Sequence, residues 1–160
     1  MIKVIIDTSG FTEGMKFAQD IRDAAERAMR AHIKDDVVSM FEKTTATWEE
    51  KPEFTQEVTP AVQFVIGKVA TTDDIYALVN AGAKRHSIPK QPGFVAFQTG
   101  FTAKTKPRWI GSQSGGEFGE WTTARQVEHP GFAARDFVGA IAEEIPDLLI
   151  EQFRKELENL

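Results

Sequence analysis

The chain opens on a crowded run of branched apolar residues, "IKVIID" from Ile2 to Asp7, and then changes period. Its composition and shortness predict a strand or an extended N-terminal arm. From about Thr12 apolar positions recur at three- and four-residue spacing, through Phe17, Ile21, Ala24, Ala28, Ile33, Val37, Met40 and Phe41. That spacing predicts one long amphipathic helix ending near Phe41 to Thr45. Thr12 is the expected N-cap, with Glu13 in a first turn where the helix dipole favours a carboxylate. Pro52 in "TTATWEEKPEF" cannot continue a helix. "EFTQEVT" and "AVQFVIGKVA" flank Pro60 and carry the branched and aromatic residues that suit a pleated surface, so they read as neighbouring antiparallel strands.

The second half alternates more often. "TTDDIYALVNAG" predicts a short helix capped by Thr72, with Asp73 and Asp74 in its first turn and Gly82 closing it. "KRHSIPKQPG" is a turn-rich connection, "FVAFQTGF" a strand, and "TARQVEH" a segment that finishes the sheet. From Ala133 the stripe Phe137, Ile141, Ile145, Leu148, Leu149, Phe153, Leu157 and Leu160 predicts a last helix, kinked or restarted at Pro146. Glu151 and Lys155 stand at i,i+4 in the favourable order. The fold class is α+β: a small antiparallel sheet packed against a long N-terminal helix and a C-terminal helix. Residues 1–160 make a single domain, with a projecting hairpin or flexible loop at about 102–120. A chain of 160 residues buries roughly two-thirds of its unfolded surface and needs no metal or disulfide staple.

Charge changes the picture more than composition does. The net charge is −5, yet no acid occurs between Ile75 and Gly116, where Lys84, Arg85, Lys90, Lys104, Lys106 and Arg108 stand. From Asp136 to Leu160 acids predominate, with only Arg154 and Lys155 opposing them. Such asymmetry sets up attraction between copies of one molecule, or a basic face for an anionic polymer. The chain has no cysteine, which excludes thiol chemistry. The apolar runs are too short for a membrane span and the N-terminus lacks a secretory pattern, so the expectation is a soluble protein made in the cytoplasm, without a membrane partner.

Candidate chemistry is sparse. His86 and His129, with Glu128 or Asp136, would have to meet in space to make a metal site or an acid-base pair, and no H-E-x-x-H spacing announces one. His32 falls inside the long helix as a partly buried or surface imidazole. No G-x-S-x-G elbow is present, and "GSQSGGEFG" matches neither a P-loop nor a dinucleotide fingerprint. The reading is therefore no enzyme, no cofactor and no metal. Lys104, Lys106 and Arg108 beside Trp109 pair cations with an aromatic, as on single-strand nucleic-acid surfaces, but the acidic whole lacks a global basic field. In "QVEHPGFAARDF", Pro130 fixes φ and Gly131 supplies a conformation strained for other residues. Phe132 and Phe137 anchor the following helix, Asp136 sits in its first turn, and Arg135 faces outward or bridges to a carboxylate. The segment reads as a strand-to-helix corner.

The order of "TATWEEKPEF", "YALVNAGAKRHSIPK", "FVAF", a Gly/Ser/Lys-rich insertion and "VEHPGFAARDF" resembles minor tail and neck proteins of tailed bacteriophages, the tail-completion or head-tail joining components. Tyr76, His86, Ile88, Pro89, Phe94, Phe97, His129, Pro130, Gly131 and Phe137 carry the likeness over roughly the last two-thirds of the chain. "KPEFTQEV" stands where many relatives have P-x-D-T-G-x-L. The resemblance implies a virion subunit, present in host cytoplasm during assembly, that forms a homo-oligomeric ring, a hexamer, with other neck and tail proteins. It implies no catalytic residue; His86, Pro89, His129, Pro130 and Gly131 serve as structural turns. Lys104, Lys106, Arg108, Trp109, Phe118 and Arg135 are the expected interaction residues, in an arm that orders on a neighbour or lines a DNA channel. The alternatives are a nucleic-acid-binding module using the basic 84–109 region and, more distantly, a metal-dependent hydrolase using His86 and His129.

Overall fold

The computed structural model describes residues 1–8, 16–61, 63–88, 94–100, 104–111 and 119–160. It is an α+β fold whose first layer is a three-stranded antiparallel sheet, β1 (Ile2–Asp7), β2 (Thr55–Pro60) and β3 (Phe64–Ala70), in the order β1-β3-β2. "IKVIID" is thus a paired strand, with Ile2 opposite Val69, Val4 opposite Gly67 and Ile6 opposite Val65. Because side chains alternate across a strand, this register places Ile2, Val4, Val65 and Val69 on one buried face. Lys3, Ile5 and Lys68 fall on the other.

The second layer is helical. α1 (Lys16–Ala31) continues through a π-helical segment (His32–Val38) into α2 (Ser39–Thr44). Ala31 and Ser39 keep right-handed helical dihedrals at the junctions, so the rod is unbroken. The expected single α-helix is corrected on this point, and the sequence shows why. Ala25, Met29, Ile33, Val37 and Phe41, all at most 2% exposed, repeat every four residues. Four residues overshoot an α-helical turn by about 40°, and the wider π turn takes up that drift and keeps the stripe on the core. Thr12, the expected N-cap, lies outside the described residues.

α4 (Phe137–Glu158) runs back along this rod, tied by Arg27 to Glu156 at 2.7 Å and by Gln152 to Asp36 at 3.5 Å. It neither ends nor restarts at Pro146. Proline has no N–H to give the Ala142 carbonyl, and the helix nevertheless continues unbroken to Glu158, with Ala142 on its exposed side. Glu151 and Lys155 pair at 2.8 Å, as their spacing predicts. No helix among the described residues is long and apolar enough to cross a membrane.

Between the layers lies a core of Met29, Ile33, Val37, Phe41, Val65, Val69, Phe137 and Ile141. Burying each such large side chain contributes roughly 1.5–3 kcal/mol. Gly67 lets the rod approach β3, since a Cβ there would meet Met29 Sδ at 2.5 Å and Ile33 Cγ1 at 2.7 Å. Tyr76, on α3 (Asp74–Ala81), joins the layers: its ring centroid lies 5.3 Å from Phe54, 5.9 Å from Phe137, 6.0 Å from Phe41 and 6.1 Å from Trp48. α3 ends at Gly82 as expected, with φ 76° and its N–H on the Leu78 carbonyl at 2.8 Å. Its cap, however, is Asp73 and not Thr72. The Asp73 carboxylate accepts from the Tyr76 N–H at 2.6 Å, because Asp73 is the last residue in extended conformation.

The remaining strands do not finish the sheet. β4 (His86–Ile88) pairs with β7 (Val127–His129), and β5 (Val95–Gln98) pairs with β6 (Trp121–Ala124), as two separate antiparallel ribbons. "TARQVEH" is split between them.

Candidate interaction surface

The strand-to-helix corner is built from β7 outward. The positive φ of Gly131, 80°, is confirmed as the reason for glycine, and any Cβ there would run into the Ala83 carbonyl oxygen. His129 Nδ1 accepts the Gly131 N–H at 3.0 Å, so this imidazole fixes the turn. Across the ladder His86 stacks on it, centroids 5.0 Å apart and planes 25° apart. His86 Nδ1 donates to the Lys84 carbonyl at 2.9 Å, since a carbonyl can only accept. With both rings neutral these bonds require opposite tautomers, which leaves one uncommitted lone pair, on His86 Nε2. A metal ligated by both would have to break the Gly131 turn. No group of three or more His, Asp or Glu among the described residues is placed to hold a metal ion. Pro130 lies within this turn, between His129 and Gly131; Pro89 lies outside the described residues.

Beyond the corner the structure corrects two expectations. Arg135 does not face outward, and among the described residues it meets no carboxylate: it is 9% exposed, donating from Nε to Thr105 Oγ1 at 3.1 Å and from Nη1 to the Ala133 carbonyl at 3.2 Å. Burial is possible because Thr105 and backbone oxygen, not water, take its donors. Asp136 is the residue before α4, in the left-handed region at φ 48°, and it makes no capping bond. Its carboxylate is bound instead by Arg108, which also reaches Glu143 Oε1 at 2.5 Å. Glu143 first, and then Asp136, hold the Arg108 guanidinium more firmly in its charged form. The Arg108 N–H donates to the Arg135 carbonyl at 2.7 Å. Residues 104–108 are thus fastened to the start of α4, and part of the charge asymmetry that suggested attraction between copies is satisfied within one chain. Phe132 is half-buried in a bridge to Ala83, and Phe137 alone of the two aromatics enters the core.

Lys104 is half-buried and Lys106 exposed, neither with an ion-pair partner among the described residues, and Trp109 is 38% exposed. Phe118 lies outside the described residues. The expected hairpin is present as β5–β6, with Thr99 N–H donating to the Glu120 carbonyl at 3.1 Å beyond the last strand residues. Opposed residues share a face, so Phe94, Ala96 and Gln98 lie with Trp121, Thr123 and Arg125. On this face Trp121 is 70% and Phe94 66% exposed, with the Arg125 guanidinium 5.5 Å from the Phe94 ring centre. Val95, Phe97 and Ala124 on the opposite face are half-buried. Sequence reasoning missed Trp121 because it stands at the end of a Gly/Ser/Lys-rich stretch that reads as a loop; its neighbours Thr122 and Thr123 were the available signal of a wet ribbon.

An open groove of about 510 Å³ lies elsewhere, between α1 and the ends of β1 and β2. Thr8, Arg22, Asp23 and Glu26 line it, and Thr8 Oγ1 and Arg22 Nε have no hydrogen-bond partner among the described residues. None of the residues expected from the sequence lines it. Comparison of the chain with protein-family models, with curated proteins and with solved structures gives no match in any of the three.

Proposed function

We propose that the chain is a structural subunit of a tailed-bacteriophage virion, a tail-completion or neck component that acts by assembling with copies of itself and with other neck and tail proteins. The observation that carries this reading is the β5–β6 ribbon. Among the described residues neither of its strands has an extended contact with another helix or strand, and its open face presents Trp121 and Phe94. An isolated two-stranded ribbon is marginal in water, and grouped exposed aromatics mark interaction sites. The ribbon belongs in an interface. The corner around His129 supports the same reading, because its side chains are spent on holding a turn. In this reading the chain resides in the virion and, during assembly, in host cytoplasm.

Native mass spectrometry over a range of concentrations, followed by negative-stain imaging, tests the proposal. Closed rings, hexameric by the family resemblance, are the expected result. A chain that stays monomeric alone and with co-expressed neck proteins would sink it. The nucleic-acid reading is weaker, since Arg108 is already engaged by Asp136 and Glu143. Lys104 and Lys106, without an ion-pair partner among the described residues, remain for weak, salt-sensitive contact with DNA passing through a ring.

A further inference from the structure

The two edges of the three-stranded sheet differ in their backbones. Thr8 continues the β1–β3 register opposite Gln63 and donates its N–H to the Gln63 carbonyl at 2.5 Å. Hydrogen-bonded and non-hydrogen-bonded pairs alternate along an antiparallel ladder, so Ile6, Val4 and Ile2 also bond toward β3. Lys3, Ile5 and Asp7 therefore turn their N–H and C=O groups toward the outer edge of β1. On the far side of the sheet Ala61 continues the β2–β3 register and donates to the Phe64 carbonyl at 2.8 Å. The same alternation points Gln56, Val58 and Pro60 outward, and proline has no N–H to offer. The β2 edge is thus blunted, whereas β1 carries an N–H at each outward position. The helical rod lies against β2 and β3, and among the described residues only β3 makes an extended contact with β1. An edge of this kind is a template for another strand.

The side chains of the same residues identify that strand. On the outer face of the sheet Ile5 is 52% exposed, between exposed Lys3 and Asp7. Cation, apolar residue and anion follow at equal spacing, so a copy turned about an axis through Ile5 sets Ile5 on Ile5 and Lys3 on Asp7. These are the outward-bonding positions, so side chains and backbone are satisfied in one register. Sliding the pair by two residues sets a charge against Ile5, and sliding it by four opposes Lys3 to Lys3 or Asp7 to Asp7, which is unfavourable. Asp7 also makes a contact in its own chain, and its two carboxylate oxygens can accept a further donor. We propose that two copies form an isologous dimer through β1, the strands pairing antiparallel about a twofold axis at Ile5 and joining two three-stranded sheets into one. Each opposed pair exchanges two backbone hydrogen bonds. The dimer goes beyond the assembly reading above: an isologous contact closes at two copies, builds no ring by itself, and leaves the β5–β6 ribbon open.

The chain has no cysteine, so a single one reports the contact. In full-length Ile5→Cys the two opposed Cα atoms stand about 5.5 Å apart, within the range of a disulfide. In Lys3→Cys the two thiols lie four residues apart along the paired strands, about 13 Å, and out of reach. With oxidised glutathione, Ile5→Cys should form a covalent dimer on denaturing gels at least about tenfold faster than Lys3→Cys. Equal rates, or a faster Lys3→Cys, would overturn the proposal. The charges are tested by sedimentation equilibrium of Lys3→Glu and Asp7→Lys, alone and mixed, after circular dichroism has shown that both fold. Each alone should dimerise about tenfold or more weakly than wild type, since the like-charge pair occurs twice per dimer. The equimolar mixture should recover the dimer, because every opposed pair again joins a cation to a carboxylate; a mixture no better than its components counts against the register. Should Asp7→Lys not fold, Lys3→Glu placed in the Ile5→Cys chain should slow cross-linking about tenfold, and an unchanged rate would end the proposal. A chain that forms rings without cross-linking at Ile5→Cys ends this inference and leaves the assembly reading standing. Cross-linked dimers from a chain that never forms rings do the reverse.

Discussion

Two regions of this molecule obey different rules. In the first, the helical rod and α4 close over the three-stranded sheet, and Phe137, Met29 and Val69 are fully buried. In the second, two short ribbons hang from a turn, and the largest side chain on the open face of β5–β6 is a tryptophan 70% exposed. The first region derives its stability from its own packing, whereas the second is held by single contacts such as the His129 bond to Gly131 and the Arg135 bond to Thr105. The contrast separates fold from function: substitutions in the core should change whether the chain folds, and substitutions on the ribbon should change what it meets.

The sharpest way to break the contrast is Phe137→Ala. Removing a fully buried ring that packs on Tyr76 should cost about 3–5 kcal/mol in denaturant unfolding, and a loss below about 1 kcal/mol would mean that this core is not closed. Tyr76 gives the next effect. Burial pushes its phenol from the ordinary 10 up to about 12, against a smaller opposing pull from the Thr44 hydroxyl. That hydroxyl is donated to the Phe41 carbonyl at 2.7 Å, and the Tyr76 oxygen has no hydrogen-bond partner among the described residues, so burial decides. The folded chain keeps this proton where the unfolded chain has lost it. About 2–3 kcal/mol of stability is therefore whole below pH 10 and is lost as the pH rises to about 12. Tyr76 is the chain's single tyrosine, so ultraviolet titration follows it alone. Tyr76→Phe should abolish the alkaline loss and, by removing an unpaired buried hydroxyl, raise stability at neutral pH by about 1 kcal/mol.

Gly131→Ala should cost about 2 kcal/mol, because the new Cβ meets the Ala83 carbonyl and the backbone sits at φ 80°. Its effect should concentrate on the ribbon region, seen as faster amide exchange from Lys84 to Ile88. The smallest expected change in stability is that of Trp121→Ala, within about 0.5 kcal/mol of wild type. A larger loss would show that the ribbon is packed against its own chain, and the contrast between the regions would dissolve.

Much of the first region is legible in the residues themselves. "IKVIID" and "AVQFVIGKVA" announce strands through branched residues, the stripe from Phe137 to Phe153 announces a helix, and Gly82 and Gly131 announce positive φ. The π-helical segment was visible only as a four-residue repeat, which ordinary helical bookkeeping absorbs without complaint. Asp73 and Thr72 are both good caps by type, and only the backbone decides between them. The second region was less legible because its partners are distant in sequence. The pairing of β5 with β6 spans the hairpin loop, and that of His86 with His129 spans 43 residues. Arg135 misleads for a different reason. A guanidinium reads as exposed unless its acceptors are known, and they come from Thr105 and the backbone, which no pattern in residues 126–137 contains. Arg108 likewise reads as a free cation until Asp136 and Glu143 are placed beside it.

Hydrogen exchange of the ribbon amides, residues 95–98 and 121–124, tests the central claim most directly when compared with β3 in dilute and in concentrated protein. The account expects rapid exchange of the ribbon in dilute solution, strong protection at concentrations where copies associate, and β3 protected in both. A ribbon already as protected as β3 in the dilute monomer, and unchanged on concentration, would contradict it.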